Sequence, residues 1–265
     1  MDLGLRDRAC IVTGASGGIG KQTAVTLAGE GAAVLLVARR EEALAESAEA
    51  CRRAGGRAET LALDVTAPDA GDRLLRACLE RIGRVDALVN NAGTSAARSL
   101  EELTDEDWQT QWELNVMGPM RLMRAIAPVM AERRWGRIVN VSSSSGKRPG
   151  QRNIAYSVTK AAELSLSRAV ADRYAREGVL VNSITPGPVS GELWMGPGGL
   201  ADQVARARGT TREEVIKSTA AGVPVGRFGA QQEIAAVIAF LCSEAASYVT
   251  GAAWSVDGGI VPGII

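Results

Sequence analysis

The sequence contains no histidine among its 265 residues. This absence excludes a Ser-His-Asp hydrolase and any mechanism that uses imidazole as its base. It also leaves the four widely spaced cysteines, which form no CxxC pair, without the partner that common zinc sites need. We therefore expect no metal site, and we interpret the cysteines as small buried hydrophobes: Cys10, Cys51, Cys78 and Cys242.

Net charge and long apolar runs are lacking as well. Lys plus Arg and Asp plus Glu both number 30, so no overall field draws in nucleic acid or an anionic membrane surface. No apolar run is long enough to cross a bilayer, and the amino-terminal residues lack the basic-then-apolar pattern of a signal peptide. We expect no nucleic-acid partner, no membrane association and a cytoplasmic location.

What the chain does contain is an alternation of short apolar runs with amphipathic helical patterns such as residues 21–29 and 41–54. Continuous apolar strands are typical of a parallel sheet that helices cover on both faces. The alternation predicts an α/β fold with a doubly wound parallel sheet, in one domain over residues 1–265. The predicted strands cover residues 9–12, 33–37, 61–63, 87–89, 137–141 and 180–184.

Residues 188–224 depart from this alternation. The segment is rich in glycine and carries two short helical patterns, near 200–207 and 212–220. We interpret it as a helical substrate lid, although a surface insertion without function is the alternative. Trp194, Met195 and the apolar positions near Leu200 either line a hydrophobic pocket or only anchor this lid to the body.

A glycine-rich loop follows the first predicted strand and precedes a helix. Glycines at such a turn let the backbone approach a pyrophosphate, and the helix N-terminus supplies free N–H donors and partial positive charge. A tight structural turn is the alternative, but the position between strand and helix is the one that dinucleotide binding requires. The candidate phosphate-binding residues are Gly14, Ser16, Gly17, Gly18, Ile19 and Gly20.

The end of the second predicted strand carries Arg39 and Arg40 where NAD-binding proteins place an acidic residue. Without a carboxylate for the ribose 2′-hydroxyl, and with arginines able to hold a 2′-phosphate, the sequence favours NADP(H) over NAD(H). NAD(H) stays possible, because the arginines could instead cap the strand and solvate the surface.

Tyr156 and Lys160 lie four residues apart at the start of a long helical pattern, so they share one face. A tyrosine phenol loses its proton only near about pH 10, and a neighbouring ammonium stabilises the phenolate. The YxxxK pattern alone is common by chance. Ser143, thirteen residues earlier and just beyond an apolar strand, adds a hydroxyl at the ligand-binding edge of the sheet.

Small and polar residues follow two further strands: Asp64 and Val65 after the third, and Asn90 to Gly93 after the fourth. With these motifs the chain resembles the short-chain dehydrogenase/reductase family over essentially its whole length, and in particular its 3-oxoacyl-[acyl-carrier-protein] reductase-like members. The ordered matches are Thr13-Gly14-xxx-Gly18-Ile19-Gly20, Asp64-Val65, Asn90-Asn91-Ala92-Gly93, Asn115, Ser143, Tyr156-xxx-Lys160 and Pro186-Gly187.

The resemblance implies a Rossmann-like fold, a homotetramer or homodimer, and a catalytic tetrad of Asn115, Ser143, Tyr156 and Lys160. Tyr156 and Lys160 would also contact the cofactor. The resemblance further implies contacts to adenine from Asp64 and Val65, to the adenosine ribose from Asn91, Ala92 and Gly93, and to the nicotinamide from Pro186, Gly187 and Val189.

Three positions depart from the family pattern. Gly191, beside Ser190, stands where the family often has a threonine that holds the carboxamide, and Gly17 replaces a basic residue common in NADP-using relatives. Ser142 to Ser145 form a run of four serines, in which the thirteen-residue spacing to Tyr156 selects Ser143.

These patterns predict an NADP(H)-dependent oxidoreductase that transfers a hydride between nicotinamide and a small-molecule ketone or secondary alcohol. A β-ketoacyl compound and a cyclic ketone are the candidate substrates. Tyr156 is expected to act as general acid and base. Two alternatives stay open: a non-catalytic NADP-binding regulator, and an epimerase or dehydratase that uses the cofactor transiently.

Overall fold

The structure is a computed structural model that describes residues 2–95 and 97–263. The remaining positions of the predicted domain, at 1, 96, 264 and 265, lie outside the described residues. Seven parallel strands form one sheet in the order β3-β2-β1-β4-β5-β6-β7. The strands are β1 (Ala9–Thr13), β2 (Ala33–Ala38), β3 (Arg57–Ala62), β4 (Ala87–Asn90), β5 (Gly136–Val141), β6 (Val179–Pro186) and β7 (Ala253–Val256).

Helices connect the strands and cover both faces of the sheet. They are α1 (Gly18–Gly29), α2 (Glu41–Arg53), α3 (Ala70–Arg81), α4 (Asp105–Trp112), α5 (Gly118–Glu132), α6 (Ser144–Lys147), α7 (Ile154–Tyr174), α8 (Glu192–Met195), α9 (Leu200–Arg208), α10 (Arg212–Ala221) and α11 (Gln231–Leu241). A π-helical turn, Glu113–Met117, joins α4 to α5. The predicted doubly wound parallel sheet is therefore confirmed.

The core explains why the strands read as continuous apolar runs. Successive residues of β2 point to opposite faces of the sheet. Val34 and Leu36 pack in the cluster that contains α1 and α11 residues, whereas Leu35 and Val37 pack in the cluster that contains α3 and α5 residues. All four side chains are fully buried. A strand between two helical layers thus needs apolar residues at every position.

The strand β3 begins four residues earlier than predicted. Its first half contains Arg57 and Glu59, which gave no apolar signal. The strand pairs only with β2, so it forms one edge of the sheet, and Arg57 is exposed to solvent there. An edge strand tolerates charged side chains that a central strand does not.

The chain order reverses between β1 and β4, which are neighbours in the sheet. Crossovers on the two sides of this point leave the sheet in opposite directions, and a crevice opens between them at the carboxyl ends of the strands. The loops that follow β1 and β4 both begin at this crevice. It is the expected position of a ligand site in such a sheet.

Helices α8, α9 and α10 fall within residues 188–224, and α9 and α10 match the two predicted helical patterns. Ala201, Ala205 and Val215 form a small apolar cluster of their own, against which Trp194 packs. This segment is thus held together partly by its own contacts.

The four cysteines are buried and unpaired, as expected of small hydrophobes. Burial raises the pKa of the Cys51 thiol to about 11, which keeps it in the unreactive protonated form. None of the helices in the described part of the chain combines the length and apolar character that a transmembrane segment requires.

Candidate active site

The loop after β1 is tied to the loop after β4 by hydrogen bonds around Thr13. The Thr13 hydroxyl donates to the carbonyl of Val89 (3.2 Å) and accepts from the backbone N–H groups of Asn91 (2.9 Å) and Ala92 (3.0 Å). The Asn91 side-chain amide donates back to the Thr13 carbonyl (2.8 Å). Two loops that follow non-consecutive strands are thereby fixed as one unit.

The glycine-rich loop approaches its neighbours closely. Gly14 has φ = +66°, a conformation that favours glycine, and a Cβ there would lie 2.8 Å from the Asn91 amide nitrogen. A Cβ at Gly20, in the first turn of α1, would overlap the Gly14 carbonyl and the Asn91 amide. The loop and the N-terminus of α1 can therefore present backbone N–H groups to a phosphate at close range, and these residues fit a dinucleotide.

Two arginines and a fixed carboxylate lie beside this loop. Arg40 forms an exposed ion pair with Glu192 of α8, at 3.9 Å. The carboxylate of Asp64 accepts hydrogen bonds from the backbone N–H (2.9 Å) and the hydroxyl (2.7 Å) of Thr66, which lower the pKa of Asp64. Asp64, two residues after the end of β3, is thus held as an anion with a fixed orientation.

Lys160 is almost completely buried beneath the cleft, at 2% exposure. Its ammonium donates to the Val141 carbonyl at the end of β5 (2.9 Å) and to the carboxylate of Glu163 (2.9 Å). Burial disfavours the charged form, but the charge and hydrogen bond of Glu163, together with the charge of Tyr156, outweigh it, so the pKa of Lys160 is raised. The Lys160 ammonium also lies 5.9 Å from the ring centre of Tyr156.

Three of the four consecutive serines, Ser142, Ser143 and Ser145, have distinct hydroxyl contacts. The Ser142 hydroxyl is buried and donates to the backbone carbonyl of Lys160 (2.9 Å). The Ser143 hydroxyl accepts from the backbone N–H of Ser145 (3.1 Å) at the start of α6, which leaves its own O–H available to donate. The Ser145 hydroxyl accepts from the amide of Asn153 (3.1 Å). These contacts support the choice of Ser143.

Asn115 lies in the π-helical turn and is fully buried. Its amide nitrogen donates to Gln111 (2.9 Å) and to the Thr159 hydroxyl of α7 (3.0 Å). Among the described residues its carbonyl oxygen Oδ1 has no hydrogen-bond partner. A Cβ at Gly93 would lie 3.5 Å from this oxygen and 3.8 Å from the Lys160 ammonium, so the three groups converge.

One cleft of about 1540 Å³ brings most of the sequence-predicted site residues together. Gly20 and Asn115 do not line it. Gly20 lies against the carbonyl of Gly14, and Asn115 lies behind Gly93. The predicted residues that do line the cleft are Gly14, Ser16, Gly17, Gly18, Ile19, Arg39, Arg40, Asp64, Val65, Asn91, Ala92, Gly93, Ser143, Tyr156, Lys160, Pro186, Gly187 and Val189.

Residues of the 188–224 segment also line this cleft. Trp194 and Leu200 line it, whereas Met195 does not. Trp194 also packs edge-on against Phe228, with ring centres 5.3 Å apart, so it both borders the cleft and anchors the segment. At Gly191 a Cβ would lie 2.6 Å from the side-chain amide of Gln231, which fills the space that a larger residue would take.

Sequence reasoning missed two charged residues of the site, Glu163 and Glu192. Glu163 lies three residues after Lys160, a spacing that places both on one helical face, so its position held a usable signal. Glu192 meets Arg40 only through the fold, because 152 positions separate them in the chain. No local pattern indicates such a contact.

A crevice at the switch point of a parallel sheet, with a phosphate-binding loop at one end and a tyrosine-lysine pair at the other, defines a nucleotide-dependent oxidoreductase. Comparison with known proteins agrees. The family model described as "Enoyl-(Acyl carrier protein) reductase" matches residues 14–261. The chain belongs to the short-chain dehydrogenase/reductase family, and it is an oxidoreductase of the ketone and alcohol class.

Individual relatives match along nearly their whole length. The short-chain reductase protein NovJ of Streptomyces niveus is 36% identical over 255 residues, covering 96% of this chain and 94% of its own. The 3-oxoacyl-[acyl-carrier-protein] reductase FabG of Thermotoga maritima is 33% identical over 263 residues, covering 97% and 99%. L-Sorbose reductase of Gluconobacter frateurii, solved with NADPH and L-sorbose, superimposes with a TM-score of 0.92 at 35% identity and full coverage of both chains.

We expect Gly20→Ala to weaken dinucleotide binding at least 10-fold and to lower the free energy of unfolding by about 1–3 kcal/mol, because the added methyl group has no space. Dinucleotide titration by fluorescence and urea denaturation measure the two effects. The matched control is Gly29→Ala at the other end of α1, where a Cβ meets only Ala54 at 3.9 Å or beyond. Unchanged binding in Gly20→Ala would contradict the role of this close approach.

Proposed function

We propose that the chain transfers a hydride between NADP(H) and a ketone or secondary alcohol, with Tyr156 as the general acid and base. One observation carries this proposal. Tyr156 and Lys160, from one face of α7, border the same cleft as the glycine-rich loop and Ser143. A proton donor, a cation that supports it and a phosphate-binding loop are the parts that hydride transfer to a carbonyl requires.

The choice of NADP(H) rests on charge at the end of β2. Arg39 and Arg40 line the cleft there, whereas the first carboxylate that follows them, Glu41 at the start of α2, does not. The solved sorbose reductase was crystallised with NADPH, which supports the same choice. When bound, the dinucleotide supplies or accepts the hydride. Asp64 and Val65 would border adenine, and Asn91 to Gly93 the adenosine ribose.

The nicotinamide end of the proposed site lies at the end of β6. Pro186, Gly187 and Val189 border the cleft there. No threonine is available at position 191 to hold the carboxamide. Polar groups from Ser190 and Gln231 line the cleft instead, and the Gln231 amide donates to the Ser190 carbonyl (3.0 Å).

For reduction, Ser143 would donate a hydrogen bond from its free O–H to the substrate carbonyl and hold it beside Tyr156. Tyr156 would then give its proton to the developing alkoxide. Lys160 stabilises the phenolate that results, because its ammonium lies beside the ring and cannot be neutralised easily. In oxidation the same groups work in the opposite direction.

Asn115 would support the return of the proton from solvent. Its buried Oδ1, which has no partner in the described part of the chain, faces Gly93 and the Lys160 ammonium. Such an acceptor suits an ordered water molecule, since buried polar atoms are normally hydrogen-bonded. A water held there would connect Lys160 to Asn115.

The substrate is a small carbonyl or alcohol compound that the 188–224 lid covers. Leu193, Trp194 and Leu200 give the lid side of the cleft an apolar wall, and Ile260 and Val261 border it as well. This wall favours a ketone with apolar substituents, including β-ketoacyl compounds and cyclic ketones. The polar residues around Ser143 lie where the carbonyl would be placed.

A substrate panel tests the reaction class. Ketones, β-ketoacyl thioesters, secondary alcohols and an α,β-unsaturated acyl thioester are each incubated with the enzyme and NADPH or NADP⁺, and NADPH absorbance is followed. We expect stoichiometric NADPH consumption with a ketone. Conversion of substrate without net change of NADPH would indicate an epimerase or dehydratase, and consumption only with the unsaturated thioester would indicate reduction of a carbon-carbon double bond.

Tyr156→Phe should lower turnover by at least about 10²–10⁴-fold, because the proton donor is lost while the ring is kept. NADPH affinity, measured by fluorescence titration, should change little. Tyr174→Phe on the same helix is the matched control and should keep wild-type turnover. If Tyr156→Phe retained turnover, the assignment would be wrong.

Arg39→Ala should lower kcat/KM with NADPH about 10-fold or more, the usual effect of losing a hydrogen bond to a charged group. The value with NADH should stay within about twofold, because NADH has no 2′-phosphate. The same pair of measurements on Arg40→Ala shows how the two arginines share the role. Equal losses with both cofactors would contradict recognition of the 2′-phosphate.

We also propose that the chain forms a homotetramer. Trp254 of the edge strand β7 and Trp112 of α4 keep more than a third of their surface exposed, and Val158 of α7 keeps 43%. Such apolar groups at a sheet edge and on helices are typical of association surfaces. Light scattering should give about four times the chain mass of 27.7 kDa; a dimer would halve that value, and a monomeric mass would contradict association.

A further inference from the structure

A carboxylate is buried directly against the proposed catalytic lysine. Glu163 is 1% exposed, and its Oε2 lies 2.9 Å from the Lys160 ammonium, three residues earlier in α7. Neither the mechanism proposed above nor the motifs of the sequence assign it a role. A buried carboxylate is costly unless it is paired, so its position next to this particular cation calls for an explanation.

The contacts of Lys160 define what the carboxylate does. An ammonium has three donors. One is taken by the Val141 carbonyl and one by Glu163, both at 2.9 Å, so one donor is left for the cleft, which Lys160 lines. Glu163 and Val141 thus hold the ammonium between α7 and the end of β5. Only the third N–H of the ammonium remains available, and it can donate to a group in the cleft.

The charge of the Glu163 carboxylate has a second consequence. Burial raises the pKa of Glu163, whereas the charge and hydrogen bond of the Lys160 ammonium oppose this rise and favour the carboxylate. As a carboxylate, Glu163 places a negative charge next to a positive charge that also interacts with Tyr156. In the described part of the chain, the helices and strands packed against α7 bring no other charged group to bear on the pair. The neighbours from the end of β5 and the residue after it are polar and neutral, namely the Val141 carbonyl and the Ser142 hydroxyl. Lys160 and Glu163 therefore form a buried ion pair that lies beside Tyr156 and apart from the other charged groups of the described residues.

We propose that Glu163 is a positioning residue, which fixes the Lys160 ammonium for proton transfer and sets the upper pH limit of the reaction. The proposal rests on the proposed function of Tyr156 and Lys160. Removal of one negative charge makes it easier for its neighbours to lose protons. Since the Lys160 ammonium interacts with both Glu163 and Tyr156, we expect the first of these neighbouring protons to be lost at a lower pH once the charge of Glu163 is removed.

The test compares Glu163→Gln with the wild-type enzyme. We expect the alkaline limb of kcat/KM for ketone reduction to move down by about 1 pH unit or more, since both the phenol and the ammonium must keep their protons. Glu163→Leu, which also lacks the charge, should show the same shift if Glu163→Gln fails to fold. Glu163→Asp should restore part of it. A purely structural role would lower activity or stability at every pH without moving the limb.

Glu177→Gln is the matched control. Glu177 follows α7 and pairs with Arg173 at the surface (2.5 Å), so its removal should leave the profile unchanged. A profile that is the same in Glu163→Gln, Glu163→Leu and wild type would overturn the proposal.

A readout without turnover separates this result from the proposed function. The chain has three tyrosines, so a Tyr174→Phe, Tyr248→Phe background leaves Tyr156 as the only source of tyrosinate absorbance. If Tyr156 loses the first proton, we expect Glu163→Gln in this background to shift the pH at which tyrosinate absorbance appears by the same amount as the alkaline limb of kcat/KM. If the alkaline limb of kcat/KM moves to lower pH but tyrosinate forms only at a higher pH than the limb, the first proton is lost by Lys160. Both results support the proposal, and identical titrations together with identical limbs refute it.

Discussion

The site depends on the hydrogen bonds that join β1 to the loop after β4 through the Thr13 hydroxyl and the Asn91 amide. These two strands are neighbours in the sheet although a long stretch of chain separates them. These hydrogen bonds hold the glycine-rich loop in place, because Asn91 lies against Gly14. They also fix the position of Gly93, which follows Asn91 by two residues. Because Gly93 lies between Asn115 and Lys160, a single group of hydrogen bonds connects the two ends of the cleft that we propose for phosphate binding and for proton transfer.

The chemistry at the second end follows from how charge is buried. A chain without histidine has no imidazole that could gain and lose a proton, and in the proposed mechanism a phenol does so with a cation beside it. The structure keeps that cation charged in a buried position by surrounding it with a carbonyl and a carboxylate. Lys160 therefore acts as a fixed positive charge, whereas the same side chain in water would be mobile and screened.

The sequence predicts the parts of this molecule that have a local or periodic signal. Fully buried strands such as β2 read as apolar runs. The glycine-rich loop, Ser143 and the Tyr156–Lys160 pair have a local signal because each follows a strand or begins a helix, and they line one cleft. The first half of β3 was missed because an edge strand carries charges. The π-helical turn at Asn115 depends on packing against α7, and the Arg40–Glu192 pair on tertiary contact, so neither leaves a local pattern. Glu163 differs, since its helical spacing to Lys160 could have been noticed.

The ion pair between Arg40 and Glu192 has a consequence for protein engineering. Its two members belong to different parts of the cleft, the loop after β2 and the first turn of α8 in the segment that we propose covers the substrate. An arginine that neutralises a lid carboxylate has less charge to offer a 2′-phosphate, and a phosphate that attracts the arginine releases the carboxylate. In the proposed site, cofactor preference is therefore not a property of the β2 loop alone. An exchange of this segment between relatives that removes Glu192 would also remove the carboxylate that competes with a 2′-phosphate for Arg40.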